Sequence, residues 1–295
     1  MENSIFKIVG FVATGLLSIL FSCDKIDAPY SVVGSNIDTV SFPPPAFSIN
    51  SNAPRKVLLE DYTGHTCGNC PNGAAILNNL TSSNPLVVGL AVHCGVTFAA
   101  PAPPKYPADW RTEVGDAFDN EFGVSSAGQP NGMINRKIIS GSRIHFYNVW
   151  VNEANAILNA DPIADIELAI KPYYVASNRK LTAYVHAGFI ESISDEVKLG
   201  LYLVEDSIVA PQKWYGQSLP QDYVEFYVHN HMLRKNISPI WGVSLGTNNP
   251  AGTIQRNQWA LSLPADYKPE HVKLLAIAFN ATSNEVIQVE EVHID

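Results

Sequence analysis

The sequence is poor in positive charge, poor in cysteine, and without a long apolar run beyond its start. Its 19 Lys and Arg stand against 28 Asp and Glu, a formal net charge of −9. With no basic patch, nucleic acid and an anionic membrane surface are excluded as partners recruited by charge. There is no Gly-rich phosphate loop, no nucleophile-elbow serine and no paired-carboxylate pattern, so phosphoryl transfer and hydrolysis have no motif to rest on. The one apolar run, IVGFVATGLLSILF at residues 8–21, is too short to cross a bilayer as a helix but has the length of a signal-peptide core. Only four cysteines occur, at positions 23, 67, 70 and 94, and each calls for a reading.

The apolar run ends in LFSC, with Leu20 three residues before Cys23 and small Ser22 just before it. That arrangement resembles the lipobox of bacterial lipoproteins, whose cysteine is acylated and becomes the first residue. Residues 1–22 are therefore expected to be a lipoprotein signal peptide and Cys23 the lipidation site. The plainer alternative is a secretory signal with an incidental cysteine. Residues 23–55, with consecutive prolines at 43–45 and little periodicity, read as a tether in which a short strand around Tyr30 to Val33 can dock on the body.

From residue 56 the pattern alternates. KVLLEDY reads as a buried strand, CPNGAAILNNL as a helix with Ala74, Leu77 and Leu80 on one face, and PLVVGLAVH as a central strand. ADWRTEVGDAFDNEFG spaces Trp110, Val114 and Phe118 four apart as a helical stripe closed by Gly123; NGMINRK and FYNVWVNEANAILNA add a strand and a helix. The expectation for 56–160 is an α/β sandwich. From 161 to 295 the period becomes two, in six strand candidates separated by Asn, Ser, Pro and Asp turns, which predicts an antiparallel β-sandwich. The segment VEFYVHNHMLRKNIS interrupts that rhythm and reads as a connection. The fold class expected is thus two-domain, α/β plus all-β.

The CxxC pair falls where a buried strand hands over to a helix, which resembles thioredoxin. Unpaired N–H groups and the positive helix end stabilise a thiolate at Cys67, and Cys70 lies on the same side, able to resolve a mixed disulfide. Pro71 is compatible with a first helical turn. Asp61, six residues before Cys67, matches the buried acid that assists proton transfer from the resolving thiol. Pro130 stands where that fold has a cis-proline, exposing the backbone of Gln129 to an extended substrate. Thr66 and Gly68-Asn69 depart from the thioredoxin words, so the potential is not readable from them. CxxC also serves zinc knuckles and structural disulfides.

Read together, LLEDYTGHTCGNCPNG, the strand ending in His93, GQPNGMINRK and YVHNHMLR resemble the Bacteroidetes lipoprotein family related to the 28-kDa outer-membrane protein. The matching positions are Thr63, Gly64, Cys67, Cys70, Pro71, Pro130, Gly132, Asn135 and Arg136, then His229, Asn230, His231 and Arg234 in the second half. The resemblance implies an outer-membrane lipoprotein with a thioredoxin-like domain followed by a β-sandwich, and it leaves open which membrane face the protein occupies. Cys94, at the end of the strand before it, is either a buried apolar thiol or an auxiliary for redox or metal chemistry. With His65, His93, Cys67 and Cys70 it could supply soft ligands to copper or zinc, although no spacing fixes such a site. No resident cofactor is expected.

Three functions remain in play. One is thiol–disulfide exchange on exported proteins, as an oxidoreductase whose partners are protein thiols or disulfides. A second is a non-enzymatic binding or structural lipoprotein, engaging an envelope component through a thioredoxin-like scaffold. The third is metal handling.

Overall fold

The computed structural model describes the backbone of residues 31–33 and residues 41–218 and 222–295. The expected signal peptide and Cys23 lie outside the described residues. Among the described residues no helix is long and apolar enough to cross a membrane.

The first half is built around β2 (Val57–Thr63) and β3 (Val87–His93), parallel and in register from Val57 opposite Val87 to Thr63 opposite His93. Every residue of both strands is buried, which accounts for their continuous apolar character. β4 (Asn131–Ile134) pairs antiparallel with β2 and carries the short β5 (His145–Phe146) on its outer side. Helix α1 (Cys70–Ser83) follows β2 and has Pro71 in its first turn, where no N–H partner is lost. Its Leu77 and Leu80 pack with Val57 and Leu59 and with Trp150, Ala154 and Leu158, the last three from α3 (Trp150–Ala160). Each such side chain taken from water stabilises the fold by roughly 1.5–3 kcal/mol.

On the other face lies α2 (Glu113–Phe122). Thr112 caps it by accepting from the Gly115 N–H at 2.9 Å, and Gly123, at φ 71°, closes it. The helix is shorter than its apolar stripe suggests. Trp110 precedes the cap and lies instead beside the Arg234 guanidinium, 5.3 Å from its ring centre, while Val114 and Phe118 face the core.

The second half is antiparallel, as its alternation predicts. β6 (Ile166–Val175), β7 (Lys180–Phe189) and β13 (Ile254–Ser262) form one sheet, to which β1 (Ser31–Val33) adds in parallel along β13. This sheet packs on β8 (Val197–Glu205) and β14 (Val272–Asn280) around Phe189, Leu201, Trp259 and Leu274. β15 (Val286–His293) flanks β14, and β12 (Val243–Ser244) pairs with β8.

The two halves share a sheet. β11 (Met232–Asn236) pairs antiparallel with β8 on one side and touches β3 on the other, Met232 standing opposite Ala91. The Ala91 N–H donates to the His231 carbonyl at 2.7 Å. One nine-stranded sheet therefore runs from β15 through β14, β8, β11, β3, β2 and β4 to β5, with β12 beside β8 as its ninth strand.

The segment read as a connection is strand on both sides of a corner. β10 (Tyr223–His229) precedes it and β11 follows, with His231 at φ 56° and its N–H on Asp206 Oδ1 at 2.6 Å. Among the described residues β10 pairs only with β9 (Ile208–Lys213), making a separate two-stranded hairpin. His229 is thus the last residue of β10, whereas His231 sits in the corner itself, ahead of β11.

Candidate functional site

The loop between β2 and α1 is fixed at both ends. Gly64 must be glycine, because a Cβ there would stand 2.4 Å from the Phe98 backbone. Thr66 anchors the turn through its N–H and its Oγ1, both donating to the Phe98 carbonyl at 3.0 and 2.9 Å. The Cys67 N–H donates to Gly64 O at 3.0 Å and the Cys70 N–H to Cys67 O at 3.3 Å. Cys67 and Cys70 form a disulfide with Cα atoms 5.4 Å apart, and Cys70 is the first helical residue of α1. The positive helix end lies against the pair, the setting that lowers a thiol's pKa once the bond is reduced.

Asp61 lies on the same face of β2 as Leu59, toward α1. It is fully buried, neither carboxylate oxygen has a hydrogen-bond partner, and burial raises its pKa to about 8. It lines a small cavity of ≈ 20 Å³ with Cys70, His93, Gln212, Tyr227 and His229, room for about one water. Cys70 and the buried acid therefore share one chamber.

The β9–β10 hairpin closes that chamber from above. Gln212 Nε2 donates to the Cys67 carbonyl at 3.0 Å, the Lys213 N–H to His65 O at 2.9 Å, and the Tyr215 N–H to Gly68 O at 2.8 Å. Trp214 Nε1 donates to Asn72 Oδ1 at 3.3 Å, and the Tyr215 ring lies so close that a Cβ on Gly68 would meet it at 2.5 Å. Under this cover Cys67 is 2% and Cys70 1% exposed.

The other expected residues fall in several places. The Gln129–Pro130 peptide is cis, and Pro130 abuts α1 at Gly73, one turn beyond the disulfide. The Gln129 side chain turns inward, donating from Nε2 to the Cys94 carbonyl at 3.2 Å and to its Sγ at 3.4 Å. Cys94 is a free, fully buried thiol in the cluster of Tyr62, Phe118 and Met133, on the opposite face of the sheet from Asp61. Burial, then the Asp119 charge, pushes its pKa up, so it stays a protonated thiol.

His65 and His93 are buried beside the chamber. His231 lies on the far side of β3, with Thr81 at 3.3 Å and Lys273 at 3.4 Å. Arg234 pairs with Glu205 at 2.7 Å. Asn135 accepts the Leu58 N–H at 2.7 Å, and Arg136 grips Glu60 through two nitrogens at 2.8 and 2.9 Å. Among the described residues no group of three or more His, Cys, Asp or Glu is arranged to hold a metal ion.

Besides Asn230, a family-motif position, the second half gives the chamber and its cover Gln212, Lys213, Trp214, Tyr215, Tyr227 and His229. Sequence reasoning gave His229 a structural place and did not single out the rest. The only sequence signal was the HNH word that ends β10, since nothing in the local periodicity says that a hairpin folds back by about 150 residues.

Comparison with known proteins follows this geometry. Residues 115–295 match the family model described as outer membrane protein Omp28. No curated protein matches the chain. Among solved structures the chain is similar to HBP35 of Porphyromonas gingivalis, with a TM-score of 0.58 and 16% identity, over 82% of this chain and 76% of that one. It is also matched to a domain of the outer membrane lipoprotein Omp28 from Porphyromonas gingivalis, with a TM-score of 0.32 and 18% identity, over 45% of this chain and 97% of that one. The first of these supports the fold; at its TM-score, the second carries no argument.

Proposed function

The chain belongs to the Omp28 outer membrane protein family, and on that premise we propose that it is an outer-membrane lipoprotein performing thiol–disulfide exchange on exported proteins. Acylation at Cys23 would tether it. The observation that carries the reading is Asp61: a fully buried carboxyl with no partner, in the chamber of the resolving thiol. Burying an unpaired acid is costly, and packing alone gives no reason to keep it.

The chemistry divides between the two cysteines. In the reduced protein the Cys67 thiolate attacks a substrate disulfide, and one substrate sulfur leaves as a thiolate that takes a proton from water. Cys70 then gives its proton to the Asp61 carboxylate and attacks Cys67 Sγ. The Cys67–Cys70 bond closes and the second substrate sulfur departs. The substrate disulfide is the oxidant and the dithiol is what becomes oxidised; run backward, the same steps oxidise a substrate dithiol. With its pKa raised by burial to about 8, Asp61 exists near neutral pH in both forms, and its ionised form is a strong enough base to take a thiol proton. A substrate reaches Cys67 only when Tyr215 moves off Gly68.

The test is trapping. Cys70→Ser should accumulate mixed disulfides through Cys67 in cells, and the double variant Cys67→Ser with Cys70→Ser should accumulate none. If the single variant traps nothing and the wild-type disulfide also resists dithiothreitol in the folded protein, exchange is rejected. That outcome would favour the second reading, a binding scaffold with a structural disulfide, which the burial of both cysteines under the hairpin supports.

A further inference from the structure

The chamber holds more unpartnered polar atoms than packing needs. His65, His93 and His229 are all more than nine-tenths buried, at 1%, 4% and 5% exposure. Both ring nitrogens of His93 and Nε2 of His229 have no hydrogen-bond partner, while the His65 and His229 rings each feel one backbone group, at Ala100 and Ala210. A buried imidazole used for packing ordinarily ties a nitrogen to a carbonyl, carboxylate or water, because leaving it bare costs about 1–3 kcal/mol.

The three rings also form a file. His93 and His229 line the chamber beside Asp61 and Cys70, with ring centres 5.6 Å apart. His65 lies 6.4 Å from His93 and 5.7 Å from Tyr106, which is half-buried. Exposed Asp109 and half-buried Arg111 act on His65 from the surface beyond. Tyr227 faces the same chamber from β10, and Arg234 acts on His93 from β11.

Asp61 needs such a file. A proton taken from Cys70 sits on a fully buried carboxyl beneath a mouth that the hairpin covers, so it has no open path to bulk water. We infer that the imidazoles of His93, His229 and His65, bridged by water in the chamber, carry that proton from Asp61 to the surface at Tyr106 and Asp109. The inference rests on the exchange reading above and assigns positioning and proton-carrying roles to residues outside the dithiol.

The protonation states suit the task. A neutral imidazole accepts a proton on one nitrogen while releasing one from the other, whereas an imidazolium has no acceptor lone pair. Burial, then the neighbouring His229, His65 and Arg234 charges, holds His93 well below its ordinary value. Burial likewise takes His229 down to about 4 and lowers His65. All three are therefore neutral at pH 7.

The experiment follows closure of the dithiol in the full chain. The reduced protein is mixed with 5,5′-dithiobis(2-nitrobenzoate), whose disulfide is the oxidant: Cys67 displaces one coloured thiolate, and attack by Cys70 on the mixed disulfide releases the second in stopped flow. In a bulky, weakly buffering medium His93→Ala and His229→Ala should each slow release roughly tenfold or more, within the usual range for lost acid–base assistance. Added imidazole should restore the rate saturably, while the equilibrium with glutathione stays unchanged. His65→Ala replaces either variant if its melting curve shows it unfolded. Release at the wild-type rate in the folded variants, or slowing that imidazole does not restore, overturns the path.

A second readout separates this inference from the exchange reading. In the oxidised protein the Asp61 carboxyl band is followed by infrared spectroscopy after a pH jump, with no thiol step involved. Slower relaxation in His93→Ala and His229→Ala, rescued by imidazole, supports the path even if the wild-type mixed disulfide never closes and exchange is abandoned. Equal relaxation in variant and wild type sinks the path even if exchange stands.

Discussion

Glu60 and Asp61 are neighbours on one strand, both fully buried, and they are treated in opposite ways. Successive side chains of a strand point to opposite faces. Glu60 therefore faces the cluster of Tyr62 and Phe118, where Arg136 grips it and the guanidinium lies over Phe118, Phe122 and Phe279 at 4.5, 5.3 and 5.7 Å. Asp61 faces α1 and has no partner at all. The Arg136 corner is a closed structural contact that joins β2, α2 and β14. The Asp61 corner leaves a carboxyl, the His93 ring and Nε2 of His229 uncommitted, which is costly for stability. The same sheet thus carries one polar site whose charges are paired and one whose acid is left unpaired.

The sharpest way to break that contrast is through pH. Asp61 binds its proton more tightly in the folded chain, with a pKa near 8 against an ordinary 3.8, so folding takes up a proton between those values. Stability from this group is fully present below about pH 4 and is lost as pH rises through 8, in total roughly 5 kcal/mol. Asp61→Asn should therefore flatten the pH dependence. Urea unfolding of the oxidised protein should show the variant gaining on wild type by several kcal/mol from pH 4 to pH 9. A constant difference across that range would mean that Asp61 has a partner after all.

Arg136→Leu should do the reverse. It leaves the Glu60 carboxylate buried and alone, which costs about 3–5 kcal/mol, and the loss should appear in urea melts at pH 7. Pairing it with Glu60→Leu should recover most of that loss, because a matched apolar pair removes both charges. If the double variant is no more stable than Arg136→Leu, the pair is not what holds the corner.

The sequence made one of these corners much more readable than the other. Continuous apolar strands at Val57–Thr63 and Val87–His93, a CxxC at the helix start and Pro130 before a strand located the dithiol, because each rests on local periodicity or on a short motif. Alternation likewise announced β6, β7, β8, β13, β14 and β15. Two things were not local. Trp110 had helical spacing to Val114, but Thr112 was the better cap and the helix began after it. The word VEFYVHNHMLR read as a connection because strand alternation is masked by an exposed outer face bearing Phe226 and Val228 and by the turn at His231. That hairpin supplies Gln212, Tyr215, Tyr227 and His229 to the site, and only pairing between distant segments places them there. Arg136 was named as a family position, yet its partner Glu60 was not, since no spacing links residues 76 apart.

The smallest expected effect concerns the cover, and it asks whether the reactive corner is closed by contacts weak enough to yield. Gln212 is the keystone: its Nε2 donates to Cys67 O at 3.0 Å, to Lys213 O at 2.8 Å and to Gly64 O at 3.4 Å. The hairpin belongs to no larger sheet, so these bonds and those of Lys213, Trp214 and Tyr215 are what hold it down. A typical hydrogen bond adds only about 0.5–1.5 kcal/mol net, so losing the Gln212 contacts should raise the open population by about tenfold at most. Gln212→Ala should then react with dithiothreitol up to about tenfold faster than wild type while its urea midpoint moves little. The fluorescence of Trp214, released from Asn72 as the hairpin lifts, would report the opening directly. The Arg136 corner offers the control, because the reagent has no thiol target there and Arg136→Leu should change the reduction rate only as far as it unfolds the chain. Equal rates in Gln212→Ala and wild type would mean that access to Cys67 does not pass under the hairpin, and Pro130 would then mark the side from which substrates enter.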